Sequence, residues 1–246
     1  VRQTNGTGAF RLSIREPDVR TVLTRNNDWF GWQQTTGGNG PGNVTELVFR
    51  PISSDATRVA ALLSGEIDFV LDPPLQDLNR LRAAPNIKVL EGPEVRTIFL
   101  AFDTFRDELA YSSVRGANPF RDLRVRQALY HAIDIAAIQR TTMRGQSIPT
   151  GTLFPPQVNG FVAAQDVRLP FDVARARALL AEAGYPNGFE ITLDCSNNRY
   201  INDEQICTAI AAMWTRVGVR TQVQAQPLAP FFAQIQRDDT SIYLLG

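Results

Sequence analysis

The side chains that could do chemistry are few, and their spacing argues against catalysis. Nucleophilic hydrolysis needs a base beside an activated nucleophile. The chain has one histidine, His131, and no Gly-x-Ser-x-Gly elbow to serve it. His131 shares a predicted helix face with Arg124, Gln127 and Asp134, opposite the apolar stripe, so it reads as a solvated rim residue. Asp68, Asp72, Asp77 and Asp103 fall at strand ends and turns, the places of capping carboxylates. A two-carboxylate hydrolase needs a pair at fixed separation, and no spacing supplies one. One imidazole and two thiols, Cys195 and Cys207, make a metal site improbable. The glycines of residues 35–42 precede no Lys-Ser/Thr pair and so form no phosphate cradle. Trp29, Phe30 and Trp32 cluster with Asn26 and Asn27; packing is the simpler reading, a ligand platform the alternative.

One loop stands apart. Residues 194–203, Asp-Cys-Ser-Asn-Asn-Arg-Tyr-Ile-Asn-Asp, sit where a predicted strand runs into a helix, the end at which open α/β sheets receive ligands. Arg199 offers a planar fork for a carboxylate, Tyr200 an aromatic face, and Asn197 and Asn198 both donors and acceptors. The same loop could be structural, pinned by its cysteines. Cys195 and Cys207 read either as inert buried thiols or as a disulfide spanning the strand–helix junction. If bridged, they would add about 3 kcal/mol and point to an exported protein.

The elements that must carry this loop follow from periodicity. Residues 8–14 and 20–25 alternate apolar and polar, as strands do, around a Glu16-Pro-Asp turn. Residues 44–52 predict a strand, followed by a helix that starts in Ser53-Ser-Asp-Ala and stops at Gly65. Residues 67–71 and 88–90 predict further strands, with a short helix over 75–82 between them, giving a β-α-β-α-β run. Residues 97–102 predict a buried strand. Asp122 caps a long helix with Val125, Leu129, Ala132, Ile133 and Ala136 as its stripe. After a loop over 150–169, Asp172 starts a helix that Gly184 ends. A strand over 189–195 leads to a helix capped by Asp203, with Ile206, Ile210, Met213, Trp214 and Val217 on one face and Gly218 as its stop. A strand over 219–224, a helix over 230–236 and a strand over 241–245 complete an α/β pattern.

Composition agrees with an ordinary folded protein of one large or two smaller domains. Twenty-five basic residues balance twenty-five acidic ones over 246 residues, which argues against a nucleic-acid partner. No apolar stretch reaches the roughly 20 residues of a spanning helix. Val1 is no initiator methionine, and the strand-like residues 241–246 suggest continuation, so the sequence reads as a fragment of a longer chain.

Several blocks resemble one family. Gly6-Thr-Gly-Ala-Phe10, Thr24-Arg-Asn26 with Trp29 close behind, and Arg58-Val-Ala-Ala-Leu-Leu-Ser-Gly-Glu-Ile-Asp68 come in the order found in family 5 extracellular solute-binding proteins. These are the dipeptide and oligopeptide receptors of ABC importers. Asn118-Pro-Phe-Arg-Asp-Leu-Arg-Val-Arg-Gln-Ala-Leu-Tyr-His-Ala-Ile-Asp134, the run ending Leu-Leu-Ala-Glu-Ala-Gly-Tyr-Pro186, and residues 206–219 match further blocks. The resemblance implies a two-lobed periplasmic-binding-protein-like fold (type II, cluster C), with residues 1–96 part of the first lobe and 97–246 part of the second. It implies a monomeric, exported periplasmic receptor that closes on a peptide and presents it to a membrane permease, with no catalysis and no cofactor. A nickel complex, an opine or an oligosaccharide is the alternative ligand, and a carboxylate-dependent hydrolase the rival class. The acidic anchor for a peptide's ammonium is expected beyond Gly246. The expected ligand contacts are Asn197, Asn198, Arg199 and Tyr200, together with Phe102 and Asp103, because residues 97–102 lead from one lobe to the other.

Overall fold

The computed structural model describes residues 6–35 and 42–246. Most of the glycine-rich tract anticipated as a loop lies outside the described residues. Two compact units are present, Val1–Pro73 and Pro74–Gly246, which divide earlier than the 96/97 lobe boundary expected from the sequence.

In the first unit, β1 (Phe10–Glu16), β2 (Arg20–Arg25) and β3 (Glu46–Phe49) form an antiparallel sheet in that order. The anticipated turn is tight: Val19 N–H donates to the Glu16 carbonyl (3.1 Å), and Arg20 pairs with the Glu16 carboxylate (2.9 Å). The short helix α1 (Trp32–Thr35) follows β2. α2 (Asp55–Ser64) begins where Ser54 accepts from the Thr57 N–H and ends at Gly65, whose φ of 76° lets its N–H reach the Ala61 and Leu62 carbonyls. The anticipated strands over 67–71 and 88–90 are absent: both segments are irregular, so no β-α-β-α-β run exists here. A strand needs a partner's ladder of hydrogen bonds, and among the described residues neither segment has one.

The second unit opens with a 3₁₀ turn (Leu75–Asp77) running into α3 (Leu78–Ala83). Its four-stranded sheet has the order β4-β7-β5-β6: β4 (Phe99–Phe102), β7 (Ile242–Leu245), β5 (Phe189–Ser196) and β6 (Val219–Gln226). β5 runs parallel to β6, from Phe189 opposite Val219 to Ser196 opposite Gln226, and parallel to β7 at Leu193 and Asp194; β4 is antiparallel to β7.

One face of this sheet carries the core. Phe189, Ile191, Leu193 and Cys195 alternate inward from β5. They meet α4 (Leu123–His131), α6 (Val173–Glu182) and α7 (Asp203–Thr215). Trp214 fills its centre and donates its indole N–H to the Leu129 carbonyl (2.9 Å). α4 starts as expected, with Asp122 accepting from Arg124 N–H (2.8 Å), but it stops at His131. Asp134 caps a separate short helix, α5 (Ile135–Ala137), and the chain then widens into one π-helical turn, Ile138–Thr142. The single long helix expected through Ala136 is therefore two, because an internal Asp competes for helical N–H groups. Gly188 (φ 69°) has a packing reason to be glycine: a Cβ there would lie 1.9 Å from the Gly218 carbonyl oxygen. α8 (Leu228–Ile235) lies between β6 and β7 in sequence. Among the described residues, no helix is long and apolar enough to cross a membrane.

Candidate functional site

The loop that leaves β5 is held from below by one carboxylate. Asp203, almost completely buried, accepts from the Ser196 hydroxyl (2.7 Å) and from the N–H groups of Arg199 (3.1 Å), Tyr200 (3.1 Å) and Glu204 (3.1 Å). Asp203 is thus the first residue of α7 and not its cap. The cap position belongs to Asn202, which adopts φ 55° and donates its side-chain amide to the Thr142 carbonyl (2.8 Å), tying the loop to the π-helical turn. Two residues behind, Cys195 and Cys207 form a disulfide with a Cα separation of 6.8 Å, joining the end of β5 to α7 inside the core. Asn197 N–H pairs with the Gln226 carbonyl (3.0 Å), extending the β5–β6 ladder by one step.

These ties leave a short exposed segment with its polar groups outward. Asn198 uses its side-chain oxygen to accept from the Leu228 N–H (2.8 Å), capping α8. Arg199 is exposed, and its guanidinium makes no hydrogen bond or ion pair among the described residues; its neighbour is the ring of Tyr200, 5.1 Å away. Tyr200 is buried, and its hydroxyl donates to the Gly246 carbonyl (2.8 Å) and accepts from the Gly246 N–H (3.0 Å). A second guanidinium, Arg96, lies 5.4 Å from the same ring centroid and pairs with Glu94 (2.7 Å). The aliphatic part of Arg96 lies against Gly246, where an added Cβ would come within 3.3 Å of it and 2.4 Å of Ile98.

Of the residues expected to touch ligand, the structure brings Asn197, Asn198, Arg199 and Tyr200 together and places Phe102 and Asp103 apart from them. Phe102 stands opposite Ile242, which is level with Leu193 on β5. That is four residues, or about 13 Å of strand, short of Asn197. Phe102 packs edge-on against Phe120 (5.0 Å). The Asp103 carboxylate accepts from Phe105 N–H (3.0 Å), Arg106 N–H (3.2 Å) and the Arg106 guanidinium (2.6 Å), while Arg106 also reaches the Asp238 and Thr240 carbonyls. It is the other end of β4, Phe99 opposite Leu245, that adjoins the loop, and Arg96 lies three residues before it. Arg96 is not singled out by the sequence, where it is one basic residue ahead of the apolar run 98–102, which the structure leaves only partly buried.

Another polar cluster lies around the β5 residue Asp194, which is fully buried. Its Oδ1 accepts from the Gln234 amide (3.3 Å) and its Oδ2 has no hydrogen-bond partner. Burial pushes its carboxyl up to about 6, the Gln234 hydrogen bond partly opposing this and the nearby Asp239 charge adding to it. Asp239 accepts from the Tyr111 hydroxyl (2.5 Å), which holds that phenol above its ordinary range. Gln234, Gln226, Tyr111 and Asp239 line a concavity of about 370 Å³ beside α8. Elsewhere the side chains that raised other chemistry are structural. His131 Nδ1 donates to the Pro170 carbonyl (2.7 Å), and Trp29 packs edge-on against Trp32 (5.0 Å), whose indole donates to the Asn26 carbonyl (2.7 Å).

An open α/β sheet with a pinned, cationic loop at the carboxyl end of a parallel strand is a ligand-receiving arrangement. The chain belongs to the bacterial extracellular solute-binding proteins, family 5: the family's middle segment matches residues 1–246. It is 27% identical over 231 residues to the glutathione-binding protein GsiB of Shigella flexneri serotype 5b, covering 94% of this chain and 41% of that protein. It is 32% identical over 249 residues to heme-binding protein A of Haemophilus influenzae, covering 98% of this chain and 41% of that one. The dipeptide-binding protein of Pseudoalteromonas sp. SM9913, solved with Met-Leu, superposes with a TM-score of 0.80 at 24% identity, over 98% of this chain and 44% of that one. The chain therefore has the type II periplasmic-binding-protein fold and spans about two fifths of the length of the curated relatives it matches.

Proposed function

We propose that the chain belongs to the substrate-binding component of an ABC importer, which captures a peptide in the periplasm and delivers it to a membrane permease. Residues 197–200 contact the ligand, and Arg199 receives its carboxylate. The observation that carries this reading is the Arg199 guanidinium, exposed and without an ion pair among the described residues, on a backbone that Asp203 fixes through the N–H groups of Arg199 and Tyr200. A planar fork in that state takes a carboxylate in two parallel hydrogen bonds. The peptide-binding structure and the glutathione-binding relative support a ligand of this class, since each named ligand is a small peptide with a free carboxylate. Capture proceeds by ligand-driven closure, in which the ligand stabilises the state it contacts most fully, and no bond is made or broken.

Calorimetry of the complete receptor against a dipeptide and its C-terminal amide tests the assignment. A charge-assisted pair is worth about 1.5–3 kcal/mol. The carboxylate form should thus bind roughly ten- to hundredfold more tightly, and Arg199→Gln should remove most of that difference. Equal affinities for acid and amide in the unaltered protein would show that Arg199 does not read the carboxylate.

A further inference from the structure

The structure places two guanidiniums on one aromatic ring, and one of them, Arg96, pairs with an exposed acid. Arg199 and Arg96 both lie within 5.4 Å of the Tyr200 centroid. Asp203, directly beneath the loop, is already saturated by four hydrogen bonds from Ser196, Arg199, Tyr200 and Glu204. Glu94 is the only carboxylate paired with either guanidinium among the described residues, and its side chain is 58% exposed. Exposed ion pairs contribute little to stability, so a ligand carboxylate can take the place of Glu94 with small loss. Arg96 is held against its surroundings along its stem. The stem of Arg96 lies against the bare backbone of Gly246, which Tyr200 clamps through both hydrogen bonds of its hydroxyl. Like charges converging on a fixed platform repel each other, and the arrangement becomes favourable when anions arrive to separate them.

We propose that Arg96 is a second ligand-reading guanidinium of this site, and that the site is accordingly built for peptides carrying two carboxylates, one at the C-terminus and one on an acidic side chain. This rests on the reading of residues 197–200 as the peptide contact. Two groups within 5.4 Å of one centroid are at most roughly 11 Å apart. That span matches a C-terminal carboxylate and an Asp or Glu side chain in the same or the adjacent residue, given about 3.5 Å of chain per residue.

The test uses the complete receptor and two dipeptides of nearly identical shape, Ala-Glu and Ala-Gln, titrated by calorimetry at low ionic strength. The unaltered protein should bind Ala-Glu at least about tenfold more tightly, the factor expected of one charge-assisted pair. Arg96→Gln should collapse that ratio toward one, Arg96→Lys should retain part of it, and Arg199→Gln should weaken both peptides together. Unchanged thermal midpoints identify the variants as folded, and the ratio between the two peptides is read within each variant, so a general loss of stability cannot mimic the effect. Equal binding of Ala-Glu and Ala-Gln by the unaltered protein, or a preference that survives Arg96→Gln, overturns the inference and leaves the peptide reading standing. Failure of both peptides and of all other peptides to bind overturns the peptide reading, and the inference with it.

Discussion

At the scale of single residues, the two acids flanking the loop show how burial and hydrogen bonding set different fates for the same group. Asp203 is buried with donors on both oxygens, so its hydrogen-bonding capacity goes into shaping the loop. Asp194 is buried with one amide on one oxygen and nothing on the other, and its carboxyl rises to about 6. Its folded pKa lies above the ordinary value near 3.8. Between about pH 4 and pH 6 the folded protein therefore holds a proton that the unfolded chain has released. Stability falls as pH rises through that window, and the loss is complete above it. A rise of that size corresponds to about 3 kcal/mol at most. Asp194→Asn keeps an acceptor for Gln234 and cannot titrate. We expect the stability difference between variant and parent to move in the variant's favour by about 2–3 kcal/mol between pH 4 and pH 7. Urea unfolding at the two pH values measures it, and parallel curves would mean that Asp194 stays charged throughout.

At the scale of elements, the β5–loop–α7 junction depends on its crosslink. The sequence separation of Cys195 and Cys207 is 12 residues, and closing a loop of that size in the unfolded chain is worth about 3 kcal/mol. Protein prepared without reductant and then denatured should show no titratable thiol. The Cys195→Ser, Cys207→Ser double variant should lose about 3 kcal/mol, with the segment 197–200 exchanging its amide hydrogens faster. Two thiols in the denatured protein would refute the bridge. Here the sequence was readable because the signals were local: strand alternation, the Gly218 stop and the cysteine spacing all fall within thirty residues. The same holds for Ser54 and Gly65 around α2 and for Asp122 and Asp172 at their helix starts. Reading failed where a partner far along the chain decides. Residues 67–71 have strand composition but no ladder to join. Asp203 looks like a cap until three of its hydrogen-bond donors turn out to precede it. Arg96 could not be placed on the Tyr200 ring, because their meeting depends on β7 pairing with both β4 and β5. Phe102 and Asp103 lie at the end of β4 that antiparallel pairing with β7 sends away from the loop, which no local pattern reveals.

At the scale of the whole molecule, the two compact units are unequal in what they bury. In Val1–Pro73 the buried apolar side chains among the described residues are Val22, Val59, Ala61 and Leu62, while Val48, Phe49, Phe69 and Leu71 are about half exposed or more. The second unit gathers a continuous core around Trp214, Phe120, Leu129, Leu180 and Leu193, each essentially inaccessible, and adds the disulfide. Units of about 70 residues rarely obtain more than 3–5 kcal/mol from one core even when it is well filled, and this one is thinly filled. The 246-residue chain studied alone should therefore open in two steps. Amides of β1, β2 and β3 should exchange by opening of the first unit at low free energy, and those of β5 and β6 only through global unfolding of the second. A gap of about 3 kcal/mol between the two openings corresponds to roughly a hundredfold difference in protection. Hydrogen exchange followed by mass spectrometry on peptides covering 10–25 and 189–196 reads that ratio directly. Equal protection of the two segments would show that the first unit draws its stability from the second, and that the chain unfolds as one cooperative body.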